Sequence, residues 1–341
     1  MSAACRPLDA GRSSGRSFGR APSPLLLGVL VLLAWLGLPG LARAQDVHLL
    51  VIVGVGGSPE HTEKFNTWAA AVVDEAKKRG VPEANITYLG ERTEIDPVRI
   101  KARSTRDNVT KAFTDVAARA KPEDEVFILL IGHGSFDGST AAFNLPLQDL
   151  SAEQYKPLLD KFGATRVVFV NTASSSGAFL APLAGPGRTI VTATRTGGER
   201  NEPRFPEFFI DALTTDSADS DRNGRISVGE AFEYAKLKVK EQNDQGGHIL
   251  SEHATLDDGA EGRLAATAFL APQRSRTAAM ATASPALRAL VEERDALERQ
   301  IAEHKLRKDR LAAAQYEEEL ERLLTDLALK TRAIRELEAK K

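Results

Sequence analysis

The chain contains short apolar runs that leave no polar face. Val126-Phe127-Ile128-Leu129-Leu130-Ile131 is apolar throughout, Val167-Val168-Phe169-Val170 repeats the pattern, and 47–55 interrupts it only with His48 and Gly54. A strand with one wet face alternates apolar and polar residues, so runs apolar on both faces belong to a sheet covered on both sides. Between them lie amphipathic stretches. Residues 61–79 place Phe65, Trp68, Ala69, Val72, Val73 and Ala76 at helical spacing before Gly80 stops the pattern. Residues 107–120 do the same with Val109, Phe113, Val116 and Ala117. Further strands are expected at 86–89 and 189–194, and further helices at 152–162 and 206–213. The expected fold class is α/β, a mostly parallel sheet with helices on both faces. Sites in such sheets form beyond the carboxyl ends of the strands.

Residues 1–44 read as a secretory signal peptide. Arg6, Arg12, Arg16 and Arg20 precede an apolar stretch at 25–38, Pro39-Gly40 breaks it, and Ala42-Arg43-Ala44 forms a small-x-small cleavage site. The stretch is short for a bilayer span, and no later one reaches that length. No adjacent arginine pair is present, which favours the general secretory route. The expected location is periplasmic or extracellular, with no stable membrane span after cleavage. Loss of the leader takes away five arginines and one aspartate and moves the formal charge from −2 to −6. A mildly acidic protein offers no electrostatic footprint for nucleic acid. Cys5, the sole cysteine, leaves with the leader. The mature chain therefore has no disulfide, no thiolate nucleophile and no cysteine metal site.

The α/β domain is expected over 45–270 and a linker over 271–284. Ser284-Pro285 starts a helix, an N-cap followed by proline, and 285–341 contain no further glycine or proline. Leu287, Leu290, Leu297, Ile301 and Leu311 fit 3–4 spacing, interrupted by Arg294, His304 and Lys308. Tyr316, Leu320, Leu323, Leu327, Ile334 and Leu337 follow on an offset seam. A single rod of about 55 residues, roughly 80 Å long, would be a coiled-coil candidate for self-association. The alternatives are a helical hairpin and a helix packed on its own domain.

Residues 219–230 match an EF-hand calcium loop. Asp219, Asp221 and Asn223 take positions 1, 3 and 5, and Gly224 permits the turn. Arg225 offers its carbonyl, Ser227 stands at position 9 and Glu230 supplies the final carboxylate. Ile226 should pin the loop to the core. A single loop without a visible partner points to structural calcium rather than a sensor.

The strand 126–131 ends in Gly132-His133-Gly134, and the strand 167–170 leads through Asn171-Thr172 into Ala173-Ser174-Ser175-Ser176-Gly177. This pairing resembles the legumain and caspase group of cysteine peptidases, over about 47–261. The resemblance implies a caspase-like fold, with His133 as base and the Gly134 N–H in the oxyanion hole. Ser174 would occupy the nucleophile position that is cysteine in the family. It also implies that 192–201 line the substrate cleft, with Arg195 and Arg200 as candidate contacts. A cysteine can wait as a thiolate, whereas a serine needs an oriented imidazole at its proton. Asp137 could orient His133 or could be a turn residue ahead of Gly138. Three functions stay open: a non-catalytic peptide- or protein-binding module stabilised by calcium, a hydrolase using a Ser174–His133 dyad, and a scaffold whose helical tail does the work. Gly54-Val55-Gly56-Gly57-Ser58-Pro59 lacks the third glycine of a dinucleotide fingerprint and reads as a tight turn at the cleft. His248 and His253 fall in an acidic loop.

Overall fold

The computed structural model describes residues 45–223, 225–247, 251–259, 262, 264–271, 284–305, 307–308 and 311–338. The expected leader, Gly224, His248 and the linker positions 272–283 lie outside the described residues.

The apolar runs form the centre of a seven-stranded sheet of order β10-β9-β8-β4-β1-β2-β3. Its strands are β1 (Val47–Val53), β2 (Ile86–Gly90), β3 (Ile100–Arg103), β4 (Glu125–Ile131), β8 (Arg166–Asn171), β9 (Arg188–Thr192) and β10 (Thr255–Asp257). All neighbours pair in parallel except β10, which runs antiparallel along β9. β1, β4 and β8 are central, as their two-sided apolarity requires. A small antiparallel sheet of β5 (Gly134–Phe136), β6 (Ala141–Phe143) and β7 (Leu150–Ser151) follows directly on β4.

Side-chain alternation divides the interior in two. Leu49, Val51, Val53, Phe127, Leu129, Ile131, Val168 and Val170 face one layer. That layer holds α1 (Pro59–Lys78), α5 (Phe205–Thr214) and α6 (Val228–Gly246). Leu50, Ile52, Val126, Ile128, Leu130, Val167 and Phe169 face the other. There lie α2 (Arg106–Arg119), α3 (Ala152–Leu159) and the short α4 (Leu180–Leu183), with Phe113, Tyr155 and Phe179 packed together. Helices thus cover both faces, as the runs predict. A one-turn α7 (Leu264–Thr267) follows β10.

Of the arrangements open for the tail, the chain adopts the hairpin. α8 (Pro285–Lys305) and α9 (Ala313–Glu338) pair through Leu287, Val291 and Ile334 toward one end. Ile301, Leu323 and Leu327 meet toward the other. Two of the three polar residues that interrupt the first seam, His304 and Arg294, are buried in the pair, while Lys308 stays exposed. His304 is buried, stacks on Tyr316 at 4.8 Å and 9°, and sets Nε2 2.9 Å from the Tyr316 carbonyl oxygen. Arg294 is buried between Asp295 (3.1 Å) and Glu298 (3.3 Å). The offset between the two seams is the fold-back itself. No described helix is long and apolar enough to cross a membrane.

Candidate functional site

Parallel pairing brings the carboxyl ends of β1, β4, β8 and β9 to one edge, and the segments leaving them build a cleft. Gly54 N donates to Ile131 O (2.9 Å), Thr172 N to Leu130 O (3.1 Å) and Ala193 N to Asn171 O (3.1 Å). His133 is half-buried and places Nε2 3.2 Å from Gly56 O. A carbonyl only accepts, so Nε2 carries the proton and Nδ1 holds the lone pair of the neutral ring. Burial is the main cause holding the His133 pKa below the usual imidazole range, although the Gly56 hydrogen bond opposes it. Phe65 and His61 meet the ring edge-on at 5.1 and 4.9 Å.

Ser174 lies 6% exposed just beyond β8. Its Oγ donates to Gly134 O at 3.0 Å and accepts from Gly134 N at 3.3 Å. No hydrogen bond joins Ser174 to His133 among the described residues. The hydroxyl therefore sits on the same N–H that would serve an oxyanion. The approach is close: a Cβ on Gly134 would stand 2.2 Å from Ser174 O. Ser175, with φ 58°, turns the chain, and its N donates to Glu199 O at 2.8 Å. Gly177 packs on the backbone of Arg195 and donates to Thr194 Oγ1 at 2.8 Å. The loop after β9 is thereby knitted to the loop after β8.

Arg195 and Arg200 are both exposed on that loop. Arg195 N donates to Glu199 Oε2 (3.1 Å), and the Arg200 guanidinium lies 5.7 Å over Phe136 of β5. Arg200 is thus brought to the strand that follows His133. Asp137 is the turn residue, since its Oδ1 accepts from Ser139 N, Ser139 Oγ and Thr140 N.

Residues 62–257 match the family described as the Peptidase C13 family. The chain belongs to the peptidase C13 family. No curated protein matches it. Within the family match lie both His133 and Ser174, the serine that stands where the resemblance expects a cysteine.

The acidic loop of this C13 chain lies between α5 and α6. Asp219, Asp221 and Glu230 each bring a carboxylate oxygen, and these atoms lie within 4.8 Å of one another. Burial first, and then the charge of Glu230, pushes the Asp221 carboxyl up to about 7. Asn223 is buried, with Oδ1 accepting from Arg225 N at 2.7 Å. Ser227 caps α6 and exchanges hydrogen bonds with Glu230. Ile226 is 1% exposed in the core. An all-oxygen donor set of this kind fits a hard divalent cation. The helix ahead of the loop, α5, ends at Thr214, and Tyr234 OH on α6 donates to its Asp211 at 2.8 Å.

Sequence reasoning missed several cleft groups. His253 lies in a partly exposed loop just before β10, as expected, but its Nδ1 is 2.9 Å from Glu199 Oε1, a partner the sequence did not indicate. His61 Nε2 is 2.9 Å from Glu202 Oε2. Glu199 and Glu202 carry no local signal, because their partners lie 54 and 141 residues away.

Proposed function

We propose that this C13-family protein is exported, and that its cleft binds peptide without hydrolysing it through Ser174. The carrying observation is the pairing of Ser174 Oγ with both backbone groups of Gly134, while the His133 ring engages Gly56 O. A serine hydroxyl becomes a nucleophile when an oriented imidazole takes its proton. Here the Ser174 proton is donated to the Gly134 carbonyl, and no hydrogen bond links the hydroxyl to the imidazole among the described residues. A neighbouring thiol needs less, because its lower pKa lets the anion form ahead of attack. Peptide binding is supported by the exposed Arg195 and Arg200, the latter set over Phe136 of β5, and by the knitted loops that border the cleft.

The test compares the native protein with Ser174→Cys on a peptide library. Silence from the native form and cleavage by Ser174→Cys is the expected result. Cleavage by the native form that is lost in His133→Ala would sink the reading. Peptides retained by the native protein should bind Arg200→Ala about 3- to 5-fold more weakly, the loss of an exposed cation–π contact and its charge.

Calcium held at 219–230 is a further part of the proposal, supported by the three converging carboxylates. Asp219, Asp221, Asn223, the Arg225 carbonyl, Ser227 and Glu230 would hold it. Its role is structural, tying α6 to the sheet.

A further inference from the structure

One hydroxyl at this cleft has the partners that a serine nucleophile needs, and it is not Ser174. Ser58 stands where β1 leaves the sheet through Gly54-Val55-Gly56-Gly57 and turns into α1, which it caps. Its Oγ lies 2.8 Å from His61 Nδ1. The second ring nitrogen, Nε2, lies 2.9 Å from Glu202 Oε2. A carboxylate accepts only, so Nε2 carries the proton and Nδ1 presents its lone pair to the Ser58 hydroxyl. Glu202 is steadied in turn by Lys64, whose Nζ donates to Oε1. The imidazole is wedged against His133 at 4.9 Å and Phe65 at 5.7 Å, so its orientation is fixed from several sides. Ser58 and His61 lie just ahead of the matched residues 62–257.

The geometry points to a Ser58–His61–Glu202 triad for acyl transfer from carboxylic esters, standing beside His133 at the rim of the peptide cleft. A hydroxyl, a base bonded to it and a third group holding the base are the parts such chemistry requires. Ser58 Oγ attacks the ester carbonyl carbon as its proton passes to His61 Nδ1, and Glu202 balances the imidazolium. The bond to the leaving oxygen breaks, and the departing alcohol takes the proton from Nδ1. Water, deprotonated by His61, then attacks the acyl-serine, releasing the carboxylic acid and restoring Ser58. His61 N donates to Ser58 Oγ at 3.2 Å from the first turn of the 20-residue α1. This N–H and the positive helix end favour negative charge on Oγ as its proton leaves. The His61 and Glu202 side chains are 27% and 41% exposed, so a small ester reaches the site from solvent. Gly57, with φ +72° and nothing within 4 Å of a Cβ position, leaves room for the acyl group. The triad goes beyond the peptide-binding reading, and neither needs the other.

The test is labelling of the full chain by a fluorophosphonate, with the adduct mapped by mass spectrometry. The expected adduct is on Ser58. Ser58→Asn keeps an N-cap oxygen for α1 and abolishes the adduct, so a folding defect is separated from loss of the nucleophile. His61→Gln slows labelling by about 100-fold or more, Glu202→Gln slows it less, and Ser139→Ala, an exposed turn hydroxyl, leaves it unchanged. Hydrolysis of p-nitrophenyl acetate follows the same order. Absence of an adduct at Ser58, or labelling at the native rate in His61→Gln, overturns the triad. An adduct at Ser174 instead overturns both the triad and the peptide-binding reading, whereas no labelled serine at all overturns the triad alone.

Discussion

The Arg225 guanidinium lies 3.5 Å from the centroid of the Phe269 ring, with Nη1 3.8 Å from Glu298 Oε2 on α8. One residue of the acidic loop thus joins the segment after α7 to the C-terminal hairpin. Burial holds the Arg225 pKa below its ordinary value, against the pull of Glu298, yet a guanidinium remains charged. Arg225→Ala removes the cation–π contact and leaves Glu298 with Arg294 as its remaining cation. The expected cost is about 2 kcal/mol, read from urea unfolding. Arg225→Lys should recover only part of it, because an ammonium cannot stack as a plane. Equal stability of all three forms would separate the loop from the hairpin.

Calcium should raise the melting temperature of the protein. At a hundredfold excess over a dissociation constant of about 10⁻⁴ M, binding contributes about 2.7 kcal/mol. For a domain of this size that is a shift of about 5–10 °C. Asp221→Asn gives the sharper check. Without metal, the buried charge near Glu230 is unfavourable, so the variant should melt no lower than the native protein in chelator. With calcium it should lose most of the shift. A native protein whose melting is indifferent to calcium removes the cation from the proposal.

His48 on β1 is buried, with Nε2 3.3 Å from Asp124 Oδ2 and, among the described residues, no hydrogen-bond partner for Nδ1. Burial is the largest influence and lowers its pKa; Asp124 and Asp46 pull the other way and Arg119 adds to the lowering. The unfolded chain therefore takes up a proton near pH 6.5 that the folded chain refuses until lower pH. Stability should be fully present above about pH 6.5 and should fall as pH drops through that value toward the folded pKa. His48→Leu should flatten this limb in urea titrations at stepped pH. An unchanged acid limb in that variant would assign the loss to other groups.

The sheet could be read from the chain because its strands are apolar on both faces, a pattern that burial on both sides alone rewards. His133 and Ser174 follow the carboxyl ends of β4 and β8, which parallel pairing sets at one edge. β3, with exposed Lys101 and Arg103, and β10, with every residue half-buried, carry no such pattern, since edge strands pack on one side only. The small sheet β5–β7 is built from two- and three-residue strands and leaves no period to detect. The hydrogen bonding of Ser174 to Gly134 was not legible. Hydroxyl orientation is set by backbone groups 40 residues away. The convergence of Asp219, Asp221 and Glu230 was legible, because all three lie within one short segment. The Ser58–His61 contact spans three residues and reads locally as a helix cap; Glu202, which completes it, arrives only through the tertiary fold.

Gly177 tests the packing that shapes the cleft. A Cβ there would stand 2.1 Å from Arg195 C and 2.3 Å from Thr196 N, backbone atoms that cannot rotate away. Gly177→Ala must therefore push the loop after β9 off the loop after β8 and strain the Gly177 N–Thr194 Oγ1 bond. The expected loss is about 2–3 kcal/mol, with protease nicking near residues 195–200 ahead of global unfolding and with peptide binding lost. Gly138→Ala supplies the comparison. Its φ of +107° disfavours a side chain, but nothing lies within 4 Å of the Cβ position. Its cost should stay near 1 kcal/mol and its cleft should still bind. If Gly177→Ala costs no more than Gly138→Ala and keeps the loop resistant to protease, the two loops are not packed as described, and Arg200 loses its fixed place over Phe136 of β5.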